Sequence, residues 1–231
     1  MLTEMARVLV TEELAESGLE LLRARGHEVQ VRLDMSPTDL RSSMSEVDAL
    51  IVRSATQVDA QLLEAATDLQ VVGRAGVGLD NVDTTAATAR GILVCNAPES
   101  NVVSAAEHSV GLLLALARNV AQAHGALVEG RWERSLWTGV ELLNKTVGIV
   151  GLGRVGRLVA QRLSGFDLQI LAFDPFVSPE SAREINVEMV GLDELLGRSD
   201  FVTVHLPKTE DTVGLFDASR FSKFKSGAFL V

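Results

Sequence analysis

Short apolar runs alternate along this chain with longer stretches whose apolar residues recur at helical spacing. That pattern predicts α/β architecture around parallel sheets. Arg7–Val10 reads as a first strand, and Glu12–Arg25 as a helix with Leu14, Gly18, Leu21 and Leu22 on one face. Gly26 stands where a helix-terminating glycine is expected. Val29–Val31, Ala49–Val52, Val71–Gly73 and Ile92–Cys95 read as further strands, with a short helix over Thr38–Met44 after Pro37. Cys95, inside an apolar run, is expected to be a small buried hydrophobe.

The character changes after Pro98. Asn101–Arg118 predicts a long Ala- and Leu-rich helix, with Ser100 or Asn101 as its cap. A polar segment, Arg131–Val140, carries both tryptophans. Strand and helix then alternate again from Thr146. A domain boundary is expected near residue 98, with the long helix as a hinge crossing between residues 1–98 and 99–231.

The segment with most chemical content is Thr146–Val150, a β-branched run, followed at once by Gly151-Leu152-Gly153-Arg154-Val155-Gly156 and a helix over Arg157–Ser164. This is G-x-G-x-x-G in its required strand–turn–helix setting. Gly151 serves the tight turn, Gly153 the approach of a pyrophosphate, and Gly156 the packing of helix on strand. Arg154 and Val155 open the helix, whose N-terminus offers N–H groups and a positive dipole to phosphates. A second strand, Leu168–Phe173, ends in Asp174, about 18 residues past Gly156, where a carboxylate accepts from ribose hydroxyls. Its charge repels a 2′-phosphate, and Pro175 and Phe176 supply no compensating guanidinium, so NAD is expected over NADP. Phe201–Val204 reads as a third strand, placing His205, Leu206 and Pro207 at its carboxyl end beside the nicotinamide half of the cofactor.

Composition narrows the picture. A net charge of −10 speaks against a nucleic-acid partner, which needs a basic face. It leaves room for a small anionic substrate held by a local arginine cluster. One cysteine cannot form an internal disulfide framework, which points to a reducing compartment. Met1–Arg7 does not read as a signal peptide, and the apolar stretch Val110–Ala117 is far short of the roughly 20 residues of a membrane span. A cytoplasmic protein with no membrane partner and no metal is expected.

Several motifs recur in a fixed order: Val52-Arg53-Ser54-Ala55-Thr56, Gly73 to Asp83, Asn96-Ala97-Pro98, Ser104 to Glu107, the Gly151 loop, and His205-Leu206-Pro207-Lys208-Thr209. Together they resemble the D-isomer-specific 2-hydroxyacid dehydrogenase family, over essentially the whole chain. Within the family the resemblance is strongest to members that oxidise 3-phosphoglycerate. It implies two doubly wound Rossmann-like domains, both incomplete at the C-terminal side, with a cleft between them. Residues 1–98 would be the N-terminal part of a substrate-binding domain and 99–231 part of an NAD-binding domain. By the same resemblance Arg53 and Arg74 anchor the phosphate side of the substrate, with Ser54 adding a hydroxyl. Gly76 and Gly78 give backbone N–H groups access to its carboxylate, Asn101 borders the cleft, and Val77 meets the nicotinamide. Planar guanidiniums suit both anionic groups because they bind them bidentately.

The long helix and the Trp132–Trp137 segment resemble the family's subunit contact, which implies a homo-oligomer. His108 is expected in a core or an interface, and His27 and His124 carry no readable pattern. The family's chemistry needs an arginine, a glutamate and a histidine that lie beyond the strand matched here by Gly227–Val231. No catalytic residue is therefore assigned within this chain, and it is expected to be inactive alone and to expose a sheet edge after Val231. Two alternatives stay open. One is a relative acting on glycerate, glyoxylate or formate, which has less use for two guanidiniums. The other is a non-catalytic NAD(H)-binding module.

Overall fold

A computed structural model describes residues 5–231, so the reading of the N-terminus falls partly, over Met1–Glu4, outside the described residues. The chain divides into two compact units, Met1–Asn101 and Val102–Val231.

The first unit is built from β1 (Arg7–Val10), α1 (Glu16–Ala24), β2 (Glu28–Val31), α2 (Pro37–Ser43), β3 (Ala49–Val52), α3 (Ala60–Ala65), β4 (Val71–Arg74), α4 (Thr84–Ala89) and β5 (Leu93–Asn96). All five strands are parallel, in the order β2-β1-β3-β4-β5. The two-residue period of a strand sends Leu9, Leu50, Val52 and Val72 to one face, where they meet Leu40, Met44, Leu62 and Leu63. Val8, Val10 and Ala49 face the other way, onto Leu19. A sheet covered on both faces has near-continuous apolar strands, as here in its centre. α1 ends in a glycine-centred cap: the N–H of Gly26 (φ +87°) donates to Arg23 O and that of His27 to Leu22 O.

Two expectations for this unit are corrected. The first helix starts at Glu16 rather than Glu12, because the Glu12 carboxylate is engaged elsewhere, and Leu19 is its buried residue while Leu21 faces solvent. Cys95 is exposed: β5 is an edge strand, and Leu93 and Cys95 lie on a face that nothing in the unit covers. The short helices α3 and α4 were not anticipated; each starts from an aspartate, Asp59 or Asp83, that accepts from the N–H three residues on.

The second unit comprises α5 (Val102–Ala117), α6 (Val120–Val128), β6 (Thr146–Val150), α7 (Arg154–Leu163), β7 (Gln169–Phe173), α8 (Pro179–Arg183), β8 (Glu188–Met189), α9 (Leu192–Arg198), β9 (Phe201–Val204), α10 (Ala218–Phe221) and β10 (Phe229–Leu230). Its parallel sheet runs β10-β9-β6-β7-β8, the doubly wound order whose chain reversal lies between β6 and β9. Val147 and Ile149 pack with Ala106, Leu113 and Ala117 of α5 and Val159 and Leu163 of α7. Val150, Leu171 and Val202 pack on the opposite face with Leu195 and Leu196 of α9. α5 is thus seated on the core of this unit. His108 is exposed on α5 rather than in the core.

Candidate cofactor and substrate sites

In the second unit the sheet order brings the carboxyl ends of β6 and β9 side by side, and both carry candidate residues. Gly151 follows β6 with φ +96°, a conformation that L side chains rarely adopt. A Cβ there would also stand 2.6 Å from the carbonyl oxygen of His205. Glycine is thus required both for the turn and for the close passage of the β9 end. A Cβ on Gly156 would collide with the Gly151 carbonyl oxygen, so that glycine lets α7 press onto the loop. Gly153 differs: its backbone is extended, and a Cβ would meet nothing within 4 Å. The space it leaves is open, in front of an α7 N-terminus that no side chain caps. α7 begins at Arg154, three residues earlier than expected, so Arg154, Val155 and Gly156 form its first turn. An open cradle before an uncapped helix start, ten residues long, fits the pyrophosphate of a dinucleotide.

Asp174 sits directly after β7. Its Oδ2 accepts from the Leu152 N–H at 2.9 Å and its Oδ1 from the Phe176 N–H at 2.9 Å. The carboxylate therefore organises the glycine loop as well as standing where a ribose acceptor is needed. A carboxylate has about four lone-pair sites, so these two bonds leave capacity for ribose hydroxyls. At the end of β9 the His205 ring is half-buried, with Nε2 2.9 Å from Oγ1 of the buried Thr203. Burial pushes the His205 pKa below its ordinary value, which favours the neutral ring. Leu206 packs into the α9 side of the core, and Pro207 is exposed.

In the first unit β3 and β4 are neighbours in register, Val52 opposite Arg74, so Arg53 and Arg74 stand at adjacent carboxyl ends. Arg53 and Ser54 are exposed. Arg74 is half-buried, its Nε is enclosed without a hydrogen-bond partner, and its guanidinium lies across Gly76, where any Cβ would strike it. This changes the reading of Gly76. Its N–H donates to Arg74 O at 2.8 Å and is not free for a carboxylate; the glycine makes room for the arginine instead. A Cβ on Gly78 would approach Oδ1 of Asp80 to 2.7 Å. Val77 is largely exposed, its carbonyl held by Asn96 Nδ2 at 2.7 Å. Asn101 is exposed in the turn before α5, and no hydrogen bond ties it to the Arg53–Gly78 group.

Two residues not singled out from the sequence hold the Arg53 loop. Glu12 accepts from the N–H groups of Arg53 (2.7 Å), Ala55 (3.1 Å) and Thr56 (3.0 Å). Although partial burial opposes it, this set of N–H donors lowers the Glu12 pKa. Asn81, nearly fully buried, donates through Nδ2 to the carbonyls of Arg53 (2.8 Å) and Thr56 (2.6 Å).

The geometry defines a class, a dinucleotide-binding α/β protein with a second, arginine-bearing α/β unit, and the comparisons define the family. Residues 110–231 match the profile of the D-isomer specific 2-hydroxyacid dehydrogenase, NAD binding domain. D-3-phosphoglycerate dehydrogenase of Archaeoglobus fulgidus is 47% identical over 225 residues, covering 97% of this chain and 43% of the relative. Its counterpart from Mycobacterium bovis is 51% identical over 226 residues, covering 97% and 42%. Among solved structures, a Thermus thermophilus protein superposes with TM-score 0.90 at 33% identity, over 97% of this chain and 72% of that one. An NAD-dependent formate dehydrogenase from Staphylococcus aureus, solved in complex with NAD, gives TM-score 0.86 at 34% identity, over 98% and 72%. This chain belongs to the D-isomer-specific 2-hydroxyacid dehydrogenase family and carries its NAD-binding domain. It spans less than half the length of the curated relatives it matches.

Proposed function

We propose that this chain supplies the NAD-binding unit and the phosphate-binding edge of an enzyme that oxidises 3-phospho-D-glycerate to 3-phosphohydroxypyruvate, the entry to phosphorylated serine biosynthesis. The observation that carries this reading is the pair Arg53 and Arg74 at adjacent carboxyl strand ends, in a chain of net charge −10. Two guanidiniums concentrated at one edge of an acidic protein favour a substrate with more than one anionic group. The two curated relatives named above support the same choice, since both carry the phosphoglycerate dehydrogenase name.

In this reading residues 1–98 belong to the substrate-binding domain and residues 99–231 to the NAD-binding domain. Arg53 and Arg74 hold the phosphate, Ser54 adds a hydroxyl, and Gly78 and Asn101 complete the substrate side. Gly151, Gly153, Arg154, Val155 and Gly156 hold the pyrophosphate. Asp174 accepts from the adenosine ribose, and His205, Leu206 and Pro207 line the nicotinamide end. When bound, NAD supplies the hydride acceptor; no residue of this chain is assigned the proton transfer. The exposed apolar side chains of Leu112, Leu116, Leu127, Val128, Trp132 and Leu136 support a homo-oligomer built through α5 and the Trp132–Trp137 segment. A cytoplasmic location accords with the single cysteine.

Calorimetric titration tests the substrate. Saturable binding of 3-phosphoglycerate is expected, weaker by roughly tenfold to a hundredfold in Arg53→Ala and in Arg74→Ala, the range for losing a charge-assisted hydrogen bond. Saturation with glycerate, and none with 3-phosphoglycerate, would overturn the phosphate assignment.

A further inference from the structure

We infer that Glu12 and Asn81 are positioning residues for substrate binding, acting by fixing the backbone that presents Arg53 and Ser54. The inference rests on the functional reading above, in which Arg53 meets the substrate. In the loop after β3, three residues, 53–55, lie between the end of the ladder and Thr56, and all three are exposed. A cavity of about 420 Å³ borders this loop, lined by Thr11, Glu12, Met35, Leu40, Thr56 and Leu62 among others. Polar groups of both kinds hold the loop. The Glu12 carboxylate takes three of its N–H groups, and the Asn81 amide takes the carbonyls at its two ends. Oγ1 of Thr11 stands 2.9 Å from Oγ1 of Thr56, which adds a third tie.

This arrangement specifies a conformation rather than merely tolerating one. Three N–H vectors must converge on one carboxylate while two carbonyls converge on one amide nitrogen, and few backbone paths satisfy both. The side chain of Arg53 is then launched from a fixed Cα, with its Nη1 resting 3.4 Å from the Glu13 carbonyl oxygen. A guanidinium that binds a phosphate bidentately must be oriented as well as near, so the groups that fix its backbone act on affinity through it. Neither Glu12 nor Asn81 needs to touch the substrate to do this.

The test uses steady-state kinetics of the native full-length protein with 3-phosphoglycerate and NAD. Glu12→Gln keeps the side-chain size but turns one accepting oxygen into an NH₂ group, so at least one loop N–H loses its partner. Asn81→Ala releases both carbonyls. Each is expected to raise KM for 3-phosphoglycerate by about tenfold, the lower end for removing a group that orients a binding residue. KM for NAD should stay within about twofold, because the Gly151 loop, Asp174 and His205 lie in the other unit, and this also reports folding. If one variant loses NAD binding, the other carries the test. Combined with Arg53→Ala, Glu12→Gln should add little beyond Arg53→Ala alone, because it acts through that residue.

A lowered melting temperature with unchanged KM for 3-phosphoglycerate would overturn the inference, as would full additivity with Arg53→Ala. Both of those results would leave the functional reading standing. An Arg53→Ala variant with wild-type KM would overturn the reading itself, and the inference with it.

Discussion

The three glycines of the Gly151 loop should respond in opposite ways to the same added methyl group. In Gly153→Ala the new Cβ meets nothing within 4 Å and the backbone there is extended, so the folded chain accommodates it. Replacing glycine restricts the unfolded chain and stabilises by about 0.4–1 kcal/mol. Alanine is a poorer N-cap than glycine, which costs about 0.5–1 kcal/mol. The two nearly cancel, and because 1 kcal/mol moves the melting temperature of a chain this long by roughly 2–4 °C, the expected shift is only a few degrees. The methyl group does, however, fill the open space in front of the α7 N-terminus. Displacing a phosphate from one charge-assisted N–H bond costs about 1.5–3 kcal/mol, or roughly tenfold to a hundredfold in affinity.

In Gly156→Ala the Cβ runs into the Gly151 carbonyl oxygen, a backbone atom that cannot swing aside. Overpacking of that kind costs about 1–3 kcal/mol and should lower the melting temperature visibly. Gly151→Ala adds the unfavourable φ to a clash with His205 O, and should cost the most of the three, with about 1–2 kcal/mol from the left-handed backbone alone. NADH fluorescence titration and thermal unfolding, run on the same three proteins, separate the effects. A Gly153→Ala protein that binds NADH with wild-type affinity would refute the placement of the pyrophosphate.

Three further outcomes follow from named groups. Asp174→Asn removes the charge that disfavours a 2′-phosphate while keeping an acceptor for the Leu152 N–H, so the ratio of NADPH to NADH affinity should rise by tenfold or more on the scale of one charge contact; an unchanged ratio would remove Asp174 from the ribose site. The Glu12 pKa is lowered in the folded chain from 4.5, so Glu12 contributes stability that is present above about pH 4.5 and lost as pH falls through the folded value. Urea unfolding of Glu12→Gln should therefore show a shallower loss of stability on acidification below pH 4.5 than the unaltered chain, and parallel acid limbs would argue against that role. Trp132, 74% exposed beside exposed Val128 and Leu136, should matter to association, so Trp132→Asp should shift sedimentation toward the monomer without changing NADH affinity.

What could be read from the sequence divides along a physical line. The second unit was legible because its signals are local. A β-branched run, three glycines at fixed spacing and an acid at the next strand end occupy fewer than thirty residues, and the left-handed φ of Gly151 and the close approach of Gly156 to its carbonyl fall within that span. The central strands of the first unit were legible because a doubly covered sheet leaves continuous apolar runs. Cys95 was misread for the same reason: an apolar run looks alike in a central strand and in an edge strand with one bare face, and only the sheet order separates them. Gly76 was read as opening its N–H to a carboxylate, whereas that N–H donates to Arg74 O and the missing Cβ makes room for the guanidinium two residues earlier, a contact that spacing alone does not reveal.

Glu12 and Asn81 were invisible because their partners are distant in sequence. Glu12 reads as the first charged residue of a helix, and its partners begin 41 residues later. Asn81 reads as one polar residue in a turn, and it reaches back 28 and 25 residues to the carbonyls it holds. One sequence signal existed: an acid two residues past the first strand sits, in a sheet of order β2-β1-β3, beside the end of the third strand. A carboxylate there has a neighbouring loop of free N–H groups within reach. Strand order therefore converts an unremarkable Glu into a candidate clamp, and the same reasoning applies wherever a substrate-binding arginine follows the strand next to β1.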